Sequence, residues 1–202
     1  MPDSISLDRV FQFKITLQGV KPAIWRRILV PPTYTFWDLH VAIQDAMGWE
    51  DYHLHAFRVP HPSTGVVTEI GIPVEDDMGG ENVTPGWETR VSDWMKPGAI
   101  VAYEYDFGDG WVHELKFELV KDREEGLDYP ACVAGERACP IEDSGGVWGY
   151  QDMLSVLADP KHEDHASTRE WLGEDFDPAH FDPTEVQFDD PKERWDFAFG
   201  DE

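Results

Sequence analysis

Residues 100–120 read IVAYEYDFGDGWVHELKFELV, and this stretch decides the fold. Ile100–Phe107 and Trp111–Val120 both alternate apolar with polar side chains, the period of a half-buried strand. Gly108-Asp109-Gly110 lies between them, and Asp-Gly flanked by alternating apolar residues is a hairpin signal. With Asp109-Gly110 as a two-residue loop, Asp106 is expected opposite His113, Glu104 opposite Leu115, Ala102 opposite Phe117 and Ile100 opposite Leu119. That register puts these eight residues on one face and leaves Tyr103, Tyr105, Glu114, Lys116 and Glu118 in solvent. A slip of one residue would separate Asp106 from His113.

The flanking chain supplies partners for the hairpin. Phe11, Phe13, Ile15 and Leu17 alternate within residues 10–18, a second half-buried strand broken by Gly19 and Pro22. Ile24–Val30 follows and ends at Pro31-Pro32, which cannot donate to a ladder. Thr35 stands where a helix N-cap belongs, with Asp38 in the first turn. Phe36, Leu39, Ile43, Ala46 and Met47 then recur at helical spacing up to Gly48. His40 beside this stripe reads as a packed, hydrogen-bonded residue. The segment from His53 to Val59 reads as a strand, with His53, His55 and Phe57 on one face. Residues 60–98 are expected to hold a short strand near Val66–Ile70, an exposed acidic loop and a helical turn near Val91–Met95. Cys132 through Gly146 reads as an irregular, turn-rich loop. Helices follow around Met153–Leu157 and over about Glu163–Leu172, and a Phe-Asp-Pro repeat wraps the surface from residue 174. The sum is a single α+β domain over residues 1–202. Its antiparallel sheet has roughly five strands, with a central hairpin packed against several helices. The core runs from about 10 to 185, ahead of an acidic tail at about 186–202.

Composition limits the function. The 202 residues carry 16 basic and 41 acidic side chains, a net charge of −25, and 13% are aromatic, including nine tryptophans. A disordered acidic chain lacks such apolar content. The charge is uneven: residues 101–202 hold 8 basic and 28 acidic side chains. Nucleic-acid binding needs a basic face, and the one tight basic cluster is Lys21, Arg26 and Arg27, so nucleic acid is not the expected partner. Seven lysines against 23 aspartates also fit adaptation to high salt. No apolar run reaches the roughly 20 residues that span a bilayer. The N-terminus shows no signal-peptide pattern, and two cysteines are not a disulfide framework, so a cytoplasmic location is expected.

Three groups of residues carry candidate chemistry. Asp106, His113, Glu142 and Asp143 form the candidate catalytic set. Carboxylates and imidazoles together can hold zinc or a harder divalent ion whose open position activates water, and an Asp–His pair can act as a general base. The candidate metal ligands are His53, His55, Asp106, Asp109, His113, Cys132 and Cys139. The competing reading is structural: Asp106 and Asp109 cap the turn backbone, and His113 pairs with Asp106. Cys132 and Cys139, separated by six residues, are wider than ordinary zinc pairs and read first as small buried thiols, with metal ligation as the alternative. The tryptophans read mainly as core, with interface anchors as the alternative.

Four ordered motifs resemble the plasmid pRiA4b ORF-3-like family. They are Gly19 to Arg27, Leu39-His40 through Gly48-Trp49 to Phe57, Tyr103 to His113, and Gly135 to Gly146 with Gly149-Tyr150. The resemblance extends from about residue 10 to 185. Ile141 departs from it, because the family carries two prolines after the cysteine. The resemblance implies an α+β domain with an antiparallel sheet. It also implies an accessory or protein-interaction role, by a protein partner or self-association, around plasmids and mobile elements. It brings no established reaction, and a metal-dependent hydrolase remains the alternative.

Overall fold

The computed structural model describes residues 6–73 and 83–200. Most of the acidic loop expected between Ile70 and Val91 falls on residues 74–82, outside the described residues. The alternating segments pair as one mostly antiparallel sheet: β1 (Arg9–Leu17), β2 (Trp25–Val30), β3 (His55–Pro60), β4 (Val67–Gly71), β5 (Thr84–Pro85), β6 (Ile100–Tyr105), β7 (Trp111–Asp122) and β8 (Ala131–Glu136). Their order across the sheet is β5-β4-β3-β6-β7-β1-β2-β8, with only β4–β5 parallel. Eight strands replace the expected five or so. One addition is the two-residue β5. Another is β8, which takes Cys132 out of the expected loop and pairs it opposite Ile28. Gly135 suits that edge: a Cβ there would stand 2.3 Å from the Phe181 ring, which lies across the strand.

The hairpin forms where the alternation places it, in a different register. Asp106 adopts a left-handed φ of 53°, and its carbonyl accepts the Gly110 N–H at 2.6 Å. The loop therefore runs over five residues, 106–110, and Tyr105, rather than Gly108 as the two-residue loop requires, pairs with Trp111. Tyr103 lies opposite His113 and Ile100 opposite Lys116. A displacement by three residues, an odd number, turns β6 over relative to the expected pairing. Tyr103 and Tyr105 enter the core with Trp111, His113, Leu115 and Phe117, while Ile100, Ala102 and Glu104 face outward. The apolar bulk of two tyrosine rings, buried on one side of the sheet, fixes this register.

One helix covers the inner face. Helix α1 (Phe36–Met47) is closed at its start by a capping box: Thr35 Oγ1 accepts the Asp38 N–H at 3.2 Å, and Asp38 accepts the Thr35 N–H at 2.8 Å. Gly48, at φ 84°, ends it. The helix is buried nearly all round, because its outer side is also covered. Residues 191–199, part of the expected tail, form a helix. The short helix α2 (Val91–Trp94) comes before the hairpin, and α3 (Gly146–Ala158), α4 (His165–Leu172) and α5 (Pro191–Phe199) follow the sheet. Asp190 caps α5 and Pro191 opens it. Trp37 donates its indole N–H to the Pro191 carbonyl at 2.9 Å, Trp195 packs edge-on to Trp37, and Arg194 reaches Asp45 at 2.7 Å.

Lys21, Arg26 and Arg27 do not make a basic surface patch. Arg26 is buried, and its guanidinium donates to the carbonyls of Trp25, Ala46 and Glu136. Arg27 pairs with Glu118 at 2.7 Å on the outer sheet face.

Candidate metal centre

Three chain segments meet at one end of β6: the bend ahead of β3, the hairpin loop, and the loop leading into α3. Left-handed backbone at Asp106 and at Asp143, φ 57°, turns both chains sharply here. Asp106 Oδ1 accepts the N–H groups of Gly108 at 2.9 Å and Asp109 at 3.3 Å, closing the hairpin loop as a short acidic side chain does. Asp109 Oδ2 accepts the Gly145 N–H at 3.0 Å and ties the two loops together. Gly146 is needed at this crossing. Its φ is 67°, and a Cβ would stand 2.4 Å from the Asp109 carbonyl oxygen.

Into this junction comes His53. Its Nε2 lies 3.2 Å from Asp143 Oδ1 and 3.7 Å from Asp106 Oδ2. Among the described residues, His53, Asp106 and Asp143 are the one group whose ligand atoms all lie within 4.8 Å of one another. The Nε2 atom is shielded from solvent and has no hydrogen-bond partner of good geometry. Asp106 is buried and Asp143 is exposed, so the group opens to solvent on one side. One imidazole and two carboxylates are a donor set for zinc or a harder divalent ion.

The other sequence candidates lie elsewhere. His113 is fully buried, with Nδ1 3.4 Å from the Tyr103 carbonyl, and burial pushes its pKa down to about 4. The change of register is why it does not meet Asp106. His55 begins β3, so the strand starts two residues later than the His53–Val59 reading, and His53 and His55 part company. His55 stacks on His40, ring centroids 3.4 Å apart. Burial, and then the neighbouring His40, hold its pKa well below the ordinary histidine value. Cys132 and Cys139 are free thiols. Burial lifts the Cys139 pKa to about 11, the opposite of an activated thiolate. Glu142 lies beside the group: its Oε1 accepts from the Tyr105 hydroxyl at 2.5 Å and from the Glu50 N–H at 3.0 Å. Burial, with Glu142 next in importance, raises the Tyr105 pKa and keeps that hydroxyl a donor. Glu142 and Asp143 line a cleft of about 320 Å³ floored by Met47 and Cys139 and walled by Glu50 and Tyr52.

His40 is the packed histidine its place beside the apolar stripe predicts. Gln44 donates to the Tyr103 hydroxyl at 2.7 Å, and that hydroxyl lies 2.8 Å from His40 Nδ1. His40 Nε2 lies 2.8 Å from Asp51 Oδ1. Since the carboxylate only accepts, neutral His40 carries its proton on Nε2 and accepts from Tyr103 at Nδ1. Glu50 and Tyr52, which form the cleft wall, have no sequence signal beyond being polar residues between a helix and a strand.

The family model for plasmid pRiA4b ORF-3-like proteins matches residues 9–185. The chain belongs to this family. It is 37% identical over 191 residues to an uncharacterised Sinorhizobium fredii protein, y4hQ, an alignment that spans 92% of this chain and 94% of that one. The fold matches the crystal structure of a protein of unknown function, MM3350, from Methanosarcina mazei Go1. The TM-score is 0.84 at 46% sequence identity, over 91% of this chain and all of the other. This family member is therefore an α+β protein, and neither of these two relatives carries an assigned reaction.

Proposed function

We propose that this protein binds a divalent metal ion through His53, Asp106 and Asp143 and uses it in hydrolysis. The observation that supports the reading is a shielded imidazole nitrogen standing between two carboxylates with no hydrogen bond to either. An ion held by these three residues with an open position would supply a water of lowered pKa as the nucleophile. The chain's own part is to hold the ion at a lip open to solvent and to offer Glu142 as general base. Both hydrogen bonds to Glu142 fall on Oε1, so Oε2 is free to accept a proton in the cleft. His113, in the sequence-based catalytic set, has no role here.

Calorimetric titration with zinc and with manganese tests this. The expected result is one ion per chain, with affinity lowered at least about tenfold in His53→Ala and in Asp106→Asn, since even outer partners of metal ligands carry effects of that size. No binding at millimolar metal, or unchanged binding in both variants, would overturn it. Asn tolerates left-handed backbone, so Asp106→Asn keeps the turn while removing the charge.

The accessory, protein-binding role around plasmids and mobile elements is the second reading. It is supported by large side chains in solvent, Trp148 at 84% and Phe197 at 90% exposure. Two unpaired cysteines support a reducing, cytoplasmic setting. Among the described residues, no helix is long and apolar enough to cross a membrane.

A further inference from the structure

Among the described residues no helix covers the centre of the outer sheet face, and the face differs in charge from the chain as a whole. Lys14, Arg27, Arg58 and Lys116 stand on it with Glu69, Glu104, Glu114 and Glu118, four of each sign. Arg27 pairs with Glu118 at 2.7 Å, and Arg58 bridges Glu69, at 3.8 Å, and Glu104. In a chain of net charge −25 this face is neutral.

Antiparallel sheets commonly show water a polar face, but this one has an apolar centre. Val67 is 61% exposed and Ile100 55%. With Pro60, Ala102, Val112 and the stem of Arg58 they line a shallow cleft of about 450 Å³. Branched aliphatic side chains left open amid paired charges have the composition of an interface centre with a polar rim.

We propose that two copies of this chain associate face to face through the outer surface of β4, β3, β6, β7, β1 and β2, with Ile100 and Val67 at the centre. The occupant is a second copy because the charges are self-complementary. An isologous contact sets each patch against itself, so a face with equal numbers of both signs can match Lys and Arg to Glu across a two-fold axis. This inference is independent of the metal site, which lies at the far end of β6 from Ile100.

The overall charge gives the contact an unusual salt response. Two molecules of charge −25 repel at long range, and raising salt from 0.1 to 1 M shortens the screening length from about 10 to 3 Å. Association therefore strengthens with salt, whereas a contact built on net attraction of charges would weaken.

Sedimentation of the full chain over a concentration series, in 0.1 M and in 1 M sodium chloride, tests this. The expected result is a species of twice 23.1 kDa that tightens in high salt, with Ile100→Glu and Val67→Glu each weakening it by roughly a hundredfold, as a central interface residue does. Amine labelling of the unaltered protein provides a second readout that no folding defect can mimic. Lys14 and Lys116 should become protected as concentration rises, while Lys161 and Lys192 stay reactive. A monomer at every concentration, a dimer indifferent to both substitutions, or equal labelling of all four lysines would overturn the proposal.

Discussion

His53 and His55 stand two residues apart and have opposite fates. His55 is the first residue of a central strand, with its ring stacked on His40 under α1. His53 lies in the bend before that strand, its ring nitrogen between two carboxylates at an open loop junction. Nothing in the residue type separates them. What separates them is where strand pairing starts: once the ladder engages at His55, opposite Tyr105, every following side chain is committed to a face, and His53 is left to the loops. Here the histidine inside the ladder is a packing element held neutral by burial, and the one just outside it is the residue proposed above as a ligand.

The most severe test of that contrast is acid. His55 and His113 are both held neutral by burial, so the unfolded chain takes up protons below about pH 6.5 that the folded chain refuses. Their contribution is fully present above that value and is lost as the pH falls toward the folded-state values. His113 alone costs about 2 kcal/mol between pH 7.5 and pH 5, and His55 adds to the loss in the same direction. The Asp38 and Asp45 carboxyls, raised by burial, act in the opposite sense as they protonate. Urea melts across this range should show stability falling as the pH drops. A flat profile would break the account of both buried rings.

His55→Ala sharpens the comparison next. Removing a fully enclosed ring should cost about 3 kcal/mol and reduce the acid sensitivity. His53→Ala, measured the same way, should lie within about 0.5 kcal/mol of the unaltered protein while losing metal. Equal destabilisation by the two would erase the distinction.

A smaller loss than that of His55→Ala is expected from Thr35→Ala, about 1 kcal/mol for the lost cap. It loosens the start of the helix that carries His40. Metal affinity should be unchanged if the inner layer and the loop junction are separate.

Local signals were legible in the sequence, and their assembly was only partly so. The alternation of Phe11 through Leu17, the Thr35 cap, the Gly48 stop and the two strands of the hairpin all follow from chemistry within a few residues. The register of that hairpin does not. It depends on Asp106 spending a carboxylate oxygen and a left-handed φ to lengthen the loop, and on two tyrosines outcompeting Ala102 and Glu104 for the inner face. Helix α5 had an available signal, Asp190 before Pro191, which the acidity of the tail obscured. The site was half legible. Asp106 and Asp143 were singled out and meet, and His53 joins them, but His113, Cys132 and Cys139 lie elsewhere, because no local spacing reveals which loops will touch.

Asp106 has one further consequence. A single side chain shapes the bend with one oxygen and turns the other toward the imidazole, so architecture and reactivity are fused in one residue. Alanine would destroy both together, whereas asparagine would separate them, sparing the geometry and silencing the charge. The turn by itself is reason enough to keep a polar amide there, whether or not an ion is bound.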